Sequence, residues 1–113
     1  MGKIIFLALF LSMFLLDAHA PKSIDLAYDG EAAALSVKVW HKVSNQDKHY
    51  IEKISVYAGK KLLAEKTYER QETADGQEEI FLFIDRPLKT DDAVKVVAIC
   101  NILGKRSAVL KWE

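Results

Sequence analysis

The sequence predicts an all-β protein built from about seven short antiparallel strands. Segments of alternating apolar and polar residues follow one another from residue 23 onward, and turn residues separate them. No stretch repeats apolar residues at helical spacing for three turns, so this part of the chain is not expected to form α-helices. Short strands at this spacing are typical of a two-sheet antiparallel sandwich of the immunoglobulin-like type.

The first two strands show the alternation most clearly. Ile24, Leu26 and Tyr28 alternate with polar residues, and Asp29-Gly30 predicts a turn into the second strand. The residues that share one face of that second strand are Ala33, Leu35, Val37, Val39, His41 and Val43. The polar run 44–48 then predicts a loop, and His41 is the only polar side chain on an otherwise apolar face.

The later strands are marked by turn signals on either side. Ala58-Gly59-Lys60 predicts a hairpin turn, and Pro87 interrupts the pattern between two strands. The predicted strands of this half cover residues 49–57, 61–68, 77–84, 94–100 and 107–112. Residues 41 and 49 flank the loop between the second and third strands, which we expect to form a hairpin.

The first 20 residues have the features of a signal peptide. Met1-Gly2-Lys3 supplies a positive charge, and the apolar run Ile4 to Leu16 is too short for a membrane span. Ala18 and Ala20 have the A-x-A spacing that a signal peptidase accepts. We therefore expect an exported protein, periplasmic or secreted, with no stable membrane span in its mature form.

This prediction divides the chain into a signal peptide, residues 1–20, and one β-sandwich domain, residues 21–113. The cleavage position determines whether His19 is retained. Cleavage after Ala18 would make His19 the first residue of the mature protein, whereas cleavage after Ala20 would remove it.

Composition excludes several classes of function. Lys plus Arg total 16 and Asp plus Glu total 16, so charge does not favour nucleic acid as a partner. The sequence contains no phosphate-binding loop, no G-x-S-x-G motif and no paired cysteines. Cys100 is the only cysteine and cannot form a disulfide within the chain. It is a buried apolar residue, a metal-bound thiolate or a bridge to another chain.

Three residues are candidate metal ligands on their placement alone. His41 and His49 flank one loop, and Cys100 ends the sixth predicted strand just before a turn. All three side chains meet at one end of the domain if their strands lie in suitable sheets. Imidazole together with thiolate suits iron, copper or zinc.

Three segments resemble the superoxide reductases, the family of desulfoferrodoxin and neelaredoxin. The run from His41 to Ile54 resembles the family's H-P-x-x-x-x-H-Y-I-x-x-I segment. Val97 to Gly104 resembles its C-N-x-H-G segment, and His19-Ala20-Pro21 is similar to its early H-x-P. The three segments occur in the family's order along the chain.

The resemblance implies a fold, a cofactor and a partner. In that family an immunoglobulin-like sandwich holds one iron through four histidines in a plane and one axial cysteine. Carried over by position, His41 and His49 are in-plane ligands, Cys100 is the axial thiolate and His19 is a third histidine. The resemblance further implies superoxide as substrate and a small electron-donor protein as partner.

The chain departs from the family's motif at several positions. Leu103 stands where the family has its fourth histidine, Lys42 replaces a proline, and Ala18 replaces the lysine that draws in superoxide. The implied site is therefore incomplete, and metal binding by this chain would not by itself imply catalysis. Two other hypotheses stay open: a relative that binds iron, copper or zinc without efficient catalysis, and an interaction module in which the histidines and the cysteine are incidental.

Overall fold

A computed structural model describes residues 19–112. The predicted signal peptide, apart from its last two positions, lies outside the described residues. Within the described range, no helix is long and apolar enough to cross a membrane.

The described residues form seven β-strands in two antiparallel sheets. The strands are β1 (Ser23–Asp29), β2 (Ala34–Trp40), β3 (Ile51–Ala58), β4 (Lys61–Thr67), β5 (Gly76–Leu82), β6 (Val94–Cys100) and β7 (Lys105–Val109). One sheet has the order β1-β2-β5 and the other the order β4-β3-β6-β7. The structure confirms the predicted all-β sandwich, including the β1–β2 and β3–β4 hairpins.

The core lies between the two sheets because apolar residues alternate along the strands that face each other. Leu35, Val39, Ile54 and Val96 are fully buried. Burial of a side chain of this size contributes about 1.5–3 kcal/mol relative to exposure. The alternation that predicts the strands therefore also predicts the core.

The prediction that β2 and β3 form a hairpin is wrong. β2 belongs to the three-stranded sheet and β3 to the four-stranded sheet, so residues 41–50 cross from one sheet to the other. Both strands bury an apolar face, and placing them in opposite sheets lets these two faces share one core. The crossing still leaves the end of β2 and the start of β3 at the same end of the sandwich.

The second strand is also shorter than predicted. It ends at Trp40 because the next residues bond to another segment: His41 N–H donates to the Asp75 carbonyl at 2.8 Å and Val43 N–H to the Ala74 carbonyl at 2.8 Å. β7 begins at Lys105, two residues before the predicted start. These differences lie at strand ends, where loop contacts rather than alternation decide the pairing.

Candidate metal centre

The end of β2, the start of β3 and the end of β6 bring three candidate ligands together. His41 follows β2, His49 precedes β3 and Cys100 is the last residue of β6. One ligand atom from each lies within 4.8 Å of the other two. The rings of His41 and His49 are perpendicular, with centroids 4.6 Å apart. This His/His/Cys group could hold a metal ion.

Pairing between β3 and β6 places His49 near the cysteine. Ile51 of β3 lies opposite Cys100, and the side chain of Asn101 holds the preceding residues. Asn101 Oδ1 accepts from Tyr50 N–H at 2.9 Å, and its Nδ2 donates to the Lys48 carbonyl at 3.0 Å. One asparagine therefore fixes both chain neighbours of His49 against the end of β6.

His41 is held by a buried glutamine from another segment. Both His41 and Gln71 have no exposed surface, and His41 Nδ1 lies 2.8 Å from Gln71 Oε1. Gln71 Nε2 donates to the His41 carbonyl at 2.7 Å. The glutamine thus binds both the backbone and the ring of this histidine.

Two imidazole nitrogens at the centre of the group have no hydrogen-bond partner. Nε2 of His41 and Nε2 of His49 are the buried side-chain nitrogen or oxygen atoms without a partner among residues 19–112. A buried polar atom without a partner costs free energy, so such atoms call for an explanation. A metal ion between the two rings would supply the missing partner for both.

The electrostatics of the two rings favour the form that binds metals. Burial lowers the pKa of His41, although the hydrogen bond to Gln71 opposes the shift. Burial also lowers the pKa of His49, and the nearby His41 and His19 rings lower it further. A neutral imidazole keeps the lone pair that a metal ligand needs.

Cys100 contributes a buried thiol to the group. The residue is 4% exposed, which leaves little surface for a bridge to another chain. Its burial beside two imidazoles fits both the apolar and the metal-ligand hypotheses, and the unpartnered nitrogens favour the second.

His19 lies at the opening of the site and is exposed. Its ring centroid is 5.6 Å from that of His41 and 5.9 Å from that of His49. Gly104 adopts φ of +90°, and a Cβ there would lie 2.9 Å from the Ala20 Cα, so this loop packs tightly on the segment that carries His19. Arg106 Nε also donates to the Pro21 carbonyl at 2.9 Å. The His19 ring therefore lies beside the group, but the three ligand atoms within 4.8 Å of one another belong to His41, His49 and Cys100.

A cavity of about 450 Å³ opens beside the group, lined by His19, Lys22, Trp40, His41, Lys42 and Asp75. Leu103 lies on the loop after β6 and is 54% exposed. Its hydrocarbon side chain cannot bind a metal.

Comparison with solved structures identifies the fold. The superoxide reductase (1Fe-SOR) of Giardia intestinalis superposes with a TM-score of 0.59 at 15% identity, covering 83% of this chain and 100% of that chain. The superoxide reductase (neelaredoxin) of Ignicoccus hospitalis gives a TM-score of 0.52 at 19% identity, covering 84% of this chain and 81% of that chain.

This chain has the fold of the superoxide reductases. No family model and no curated protein matches its sequence. The likeness therefore extends to the fold, and the chemistry rests on this chain's own residues.

Sequence reasoning missed two residues that support the site. Gln71 lies in a polar stretch with Arg70 and Glu72 beside it, and nothing in that pattern marks it as buried. Asn101 follows the cysteine in the segment that resembles the superoxide reductases, but its contacts to residues 48 and 50 depend on the pairing of β3 with β6.

Proposed function

We propose that this chain is an exported metal-binding domain with the superoxide reductase fold, and that it holds one iron ion through His41, His49 and Cys100. One observation carries the proposal: two buried imidazole nitrogens without partners lie beside a buried thiol, with ligand atoms within 4.8 Å. His19 is the candidate fourth ligand in the processed protein that retains it.

The donor set fits a mononuclear site. Two neutral imidazoles and one thiolate suit iron, copper or zinc. The fold supports iron, since the Giardia intestinalis and Ignicoccus hospitalis proteins that it resembles are superoxide reductases. Iron bound there would supply one-electron redox chemistry, and the chain's own part is to hold the imidazoles neutral and the thiol buried.

Metal binding is a better supported function than rapid superoxide reduction. Leu103 provides no ligand. His41, His49 and Cys100, even with His19 added, make a smaller set than the four histidines and one cysteine of the family that the sequence resembles. A small electron-donor protein is the partner that redox turnover would require. The signal peptide proposed for residues 1–20 would place the domain outside the cytoplasmic membrane.

The metal content of the exported protein, purified without chelators, tests this proposal. We expect about one iron per chain, and N-terminal sequencing of the same sample shows whether His19 is retained. Titration of metal-free protein with Fe(II), Cu(II) and Zn(II) ranks the metals. A protein that refuses all three ions would contradict metal binding, and one that prefers copper or zinc would correct the choice of iron.

Two variants distinguish the loss of a metal ligand from a general disturbance of the fold. Cys100→Ala should remove any sulfur-to-metal absorption band and weaken metal binding. Ser55→Ala is the matched control, since it also removes one buried atom and lies in the middle of β3. Equal metal binding by both variants would exclude Cys100 as a ligand. A superoxide assay on the iron-loaded protein then measures how much turnover the incomplete site retains.

A second candidate function, an interaction module, is favoured by one surface. Ile80 and Leu82 lie on the outward side of β5, an edge strand, and Ile84 follows two residues after its end. These three side chains are 60%, 62% and 68% exposed, in that order. Exposed apolar rows on edge strands are sites of protein association. This function becomes the better explanation if the exported protein binds no metal.

A further inference from the structure

Gln71 has a buried side-chain amide that bonds to two other segments of the chain and to its own. It lies in the connection between β4 and β5 and has no exposed surface. Its Nε2 donates to the carbonyls of His41 at 2.7 Å and Thr73 at 2.9 Å. Its Oε1 accepts from Ile51 N–H at 3.2 Å and contacts His41 Nδ1 at 2.8 Å.

These partners leave one orientation for the amide. Two carbonyl oxygens can only accept, so the group that faces them must be the NH₂ of Gln71. The backbone N–H of Ile51 can only donate, so it must face the amide oxygen. Turning the amide over would oppose oxygen to oxygen at His41 and Thr73, and hydrogen to hydrogen at Ile51.

The fixed amide sets the tautomer of His41. Because Oε1 is an acceptor, the ring nitrogen 2.8 Å away must be the donor, and Nδ1 of the neutral ring carries the hydrogen. The lone pair is then on Nε2, the buried atom without a partner beside His49 and Cys100. We infer that Gln71 is the positioning residue of this site, which holds the His41 ring in the tautomer that presents an Nε2 lone pair to the metal.

The role of Gln71 toward a metal rests on the proposed metal-binding function. The tautomer of His41 does not, because it follows from the hydrogen bonds alone. Metal-binding histidines usually donate their other ring N–H to such an acceptor, which orients the ring. The amide also joins the end of β2 to the start of β3, the two strands that lie in opposite sheets. Gln71 thus sets both the tautomer of one ligand and the distance between two ligand-bearing segments.

The first test measures the tautomer directly in the metal-free protein. Long-range ¹H–¹⁵N spectra of the wild-type chain at alkaline pH should show His41 with a protonated Nδ1 and an unprotonated Nε2. A protonated Nε2 overturns the inference. This measurement needs neither a variant nor a metal, so it stands even if the wild-type protein binds no ion and the proposed function fails.

The second test compares two substitutions at position 71. Gln71→Met removes the acceptor and both donors, whereas Gln71→Glu keeps an acceptor for His41 Nδ1 and loses the donors. Gln71→Met should lose the fixed tautomer and bind Fe(II) about 10–100-fold more weakly, the usual cost of losing such a partner. Gln71→Glu should keep the tautomer and a larger part of the affinity.

A merely structural role predicts a different order. If Gln71 only tied segments together, both variants would lose the two donor bonds and bind Fe(II) equally weakly, which would overturn the inference. Gln77→Met is the matched control, because Gln77 is also buried and also binds the 71–76 segment, through Glu72 N–H at 2.9 Å. It should leave the His41 tautomer unchanged, and a shift there equal to that of Gln71→Met would also count against Gln71.

Discussion

The two ends of the sandwich differ in whether their polar side chains have hydrogen-bond partners. One end carries the proposed metal site and is called the metal-site end; it is formed by residues 19–22, 41–50, 68–75 and 101–104. Two buried imidazole nitrogens there have no hydrogen-bond partner. At the opposite end, Asp92 accepts from Arg86 through two bonds and from Lys89 N–H. These bonds, with Arg86 first among them, lower the pKa of Asp92 to about 2.

Two aromatic side chains at the opposite end also have hydrogen-bond partners. Trp112 Nε1 donates to the Asp92 carbonyl at 3.2 Å, and Tyr28 Oη accepts from Leu88 N–H at 3.1 Å. The metal-site end is also held by hydrogen bonds, those of Gln71 and Asn101, yet Nε2 of His41 and Nε2 of His49 have no partner. Unpaired buried groups surrounded by fully paired ones are typical of functional sites.

The largest expected effect comes from removing a ligand at the metal-site end. His49→Leu should weaken iron binding by more than about 100-fold, because changes outside the ligand set alone cost about 10–100-fold. The metal-free variant should be as stable as the wild type or more stable by about 1 kcal/mol, since it loses a buried unpaired nitrogen. Metal titration and urea unfolding measure the two effects.

Tyr28→Phe, at the opposite end, is the control for that experiment and should bind iron like the wild type. If His49→Leu instead kept its iron affinity and lost stability, His49 would be a packing residue, and the contrast between the two ends would disappear.

A pair of glycine substitutions sharpens the contrast in the backbone. Gly104 at the metal-site end and Gly59 at the opposite end both have positive φ, +90° and +60°. Alanine at either position should cost about 1–2 kcal/mol in backbone strain. Gly104→Ala should cost more, because its Cβ would collide with Ala20 while a Cβ at Gly59 meets open space.

Urea unfolding of both glycine variants gives the difference in free energy. The chemical shifts of the His19 ring should change in Gly104→Ala and stay constant in Gly59→Ala. Equal costs with no change at His19 would show that the 101–104 loop does not hold the N-terminal segment.

A smaller effect is expected from one hydrogen bond at the opposite end. Tyr28→Phe removes the acceptor of Leu88 N–H and should lower the free energy of unfolding by about 1 kcal/mol, the usual net contribution of such a bond. Thermal or urea unfolding measures the loss. An unchanged stability would mean that this end is less completely paired than its geometry indicates.

The smallest expected effect is a pH dependence confined to the metal-site end. The pKa values of His41 and His49 are lowered from 6.5 in the folded protein, so the unfolded chain takes up protons first as the pH falls. The free energy of unfolding of the metal-free protein is therefore greatest above pH 6.5. It decreases as the pH falls below 6.5 toward the lowered pKa values of the two histidines.

Urea unfolding midpoints, measured at several pH values on both sides of pH 6.5, give the slope of stability against pH. His49→Leu should reduce the slope, because one of the two shifted groups is gone, and Tyr28→Phe should leave it unchanged. A slope that His49→Leu does not alter would assign the pH dependence to other groups.

Local sequence determined much of the fold. Alternation predicted seven strands, and Asp29-Gly30 and Ala58-Gly59-Lys60 predicted two hairpins that the structure contains. These features depend on neighbours within a few residues, which is why they can be inferred without tertiary contacts. Residue type and placement at the ends of predicted strands together selected His41, His49 and Cys100 as candidate ligands.

Tertiary structure decided how those residues meet. Which sheet receives β3 cannot be inferred from alternation, because a strand with one apolar face fits either sheet of a sandwich. The contact between His41 and Gln71 joins residues 30 positions apart and exists only because the 68–75 segment crosses the end of both sheets. The sequence by itself determined which side chains could bind a metal. Only the packing of the two sheets decided that one nitrogen or sulfur atom of each of His41, His49 and Cys100 lies within 4.8 Å of the others.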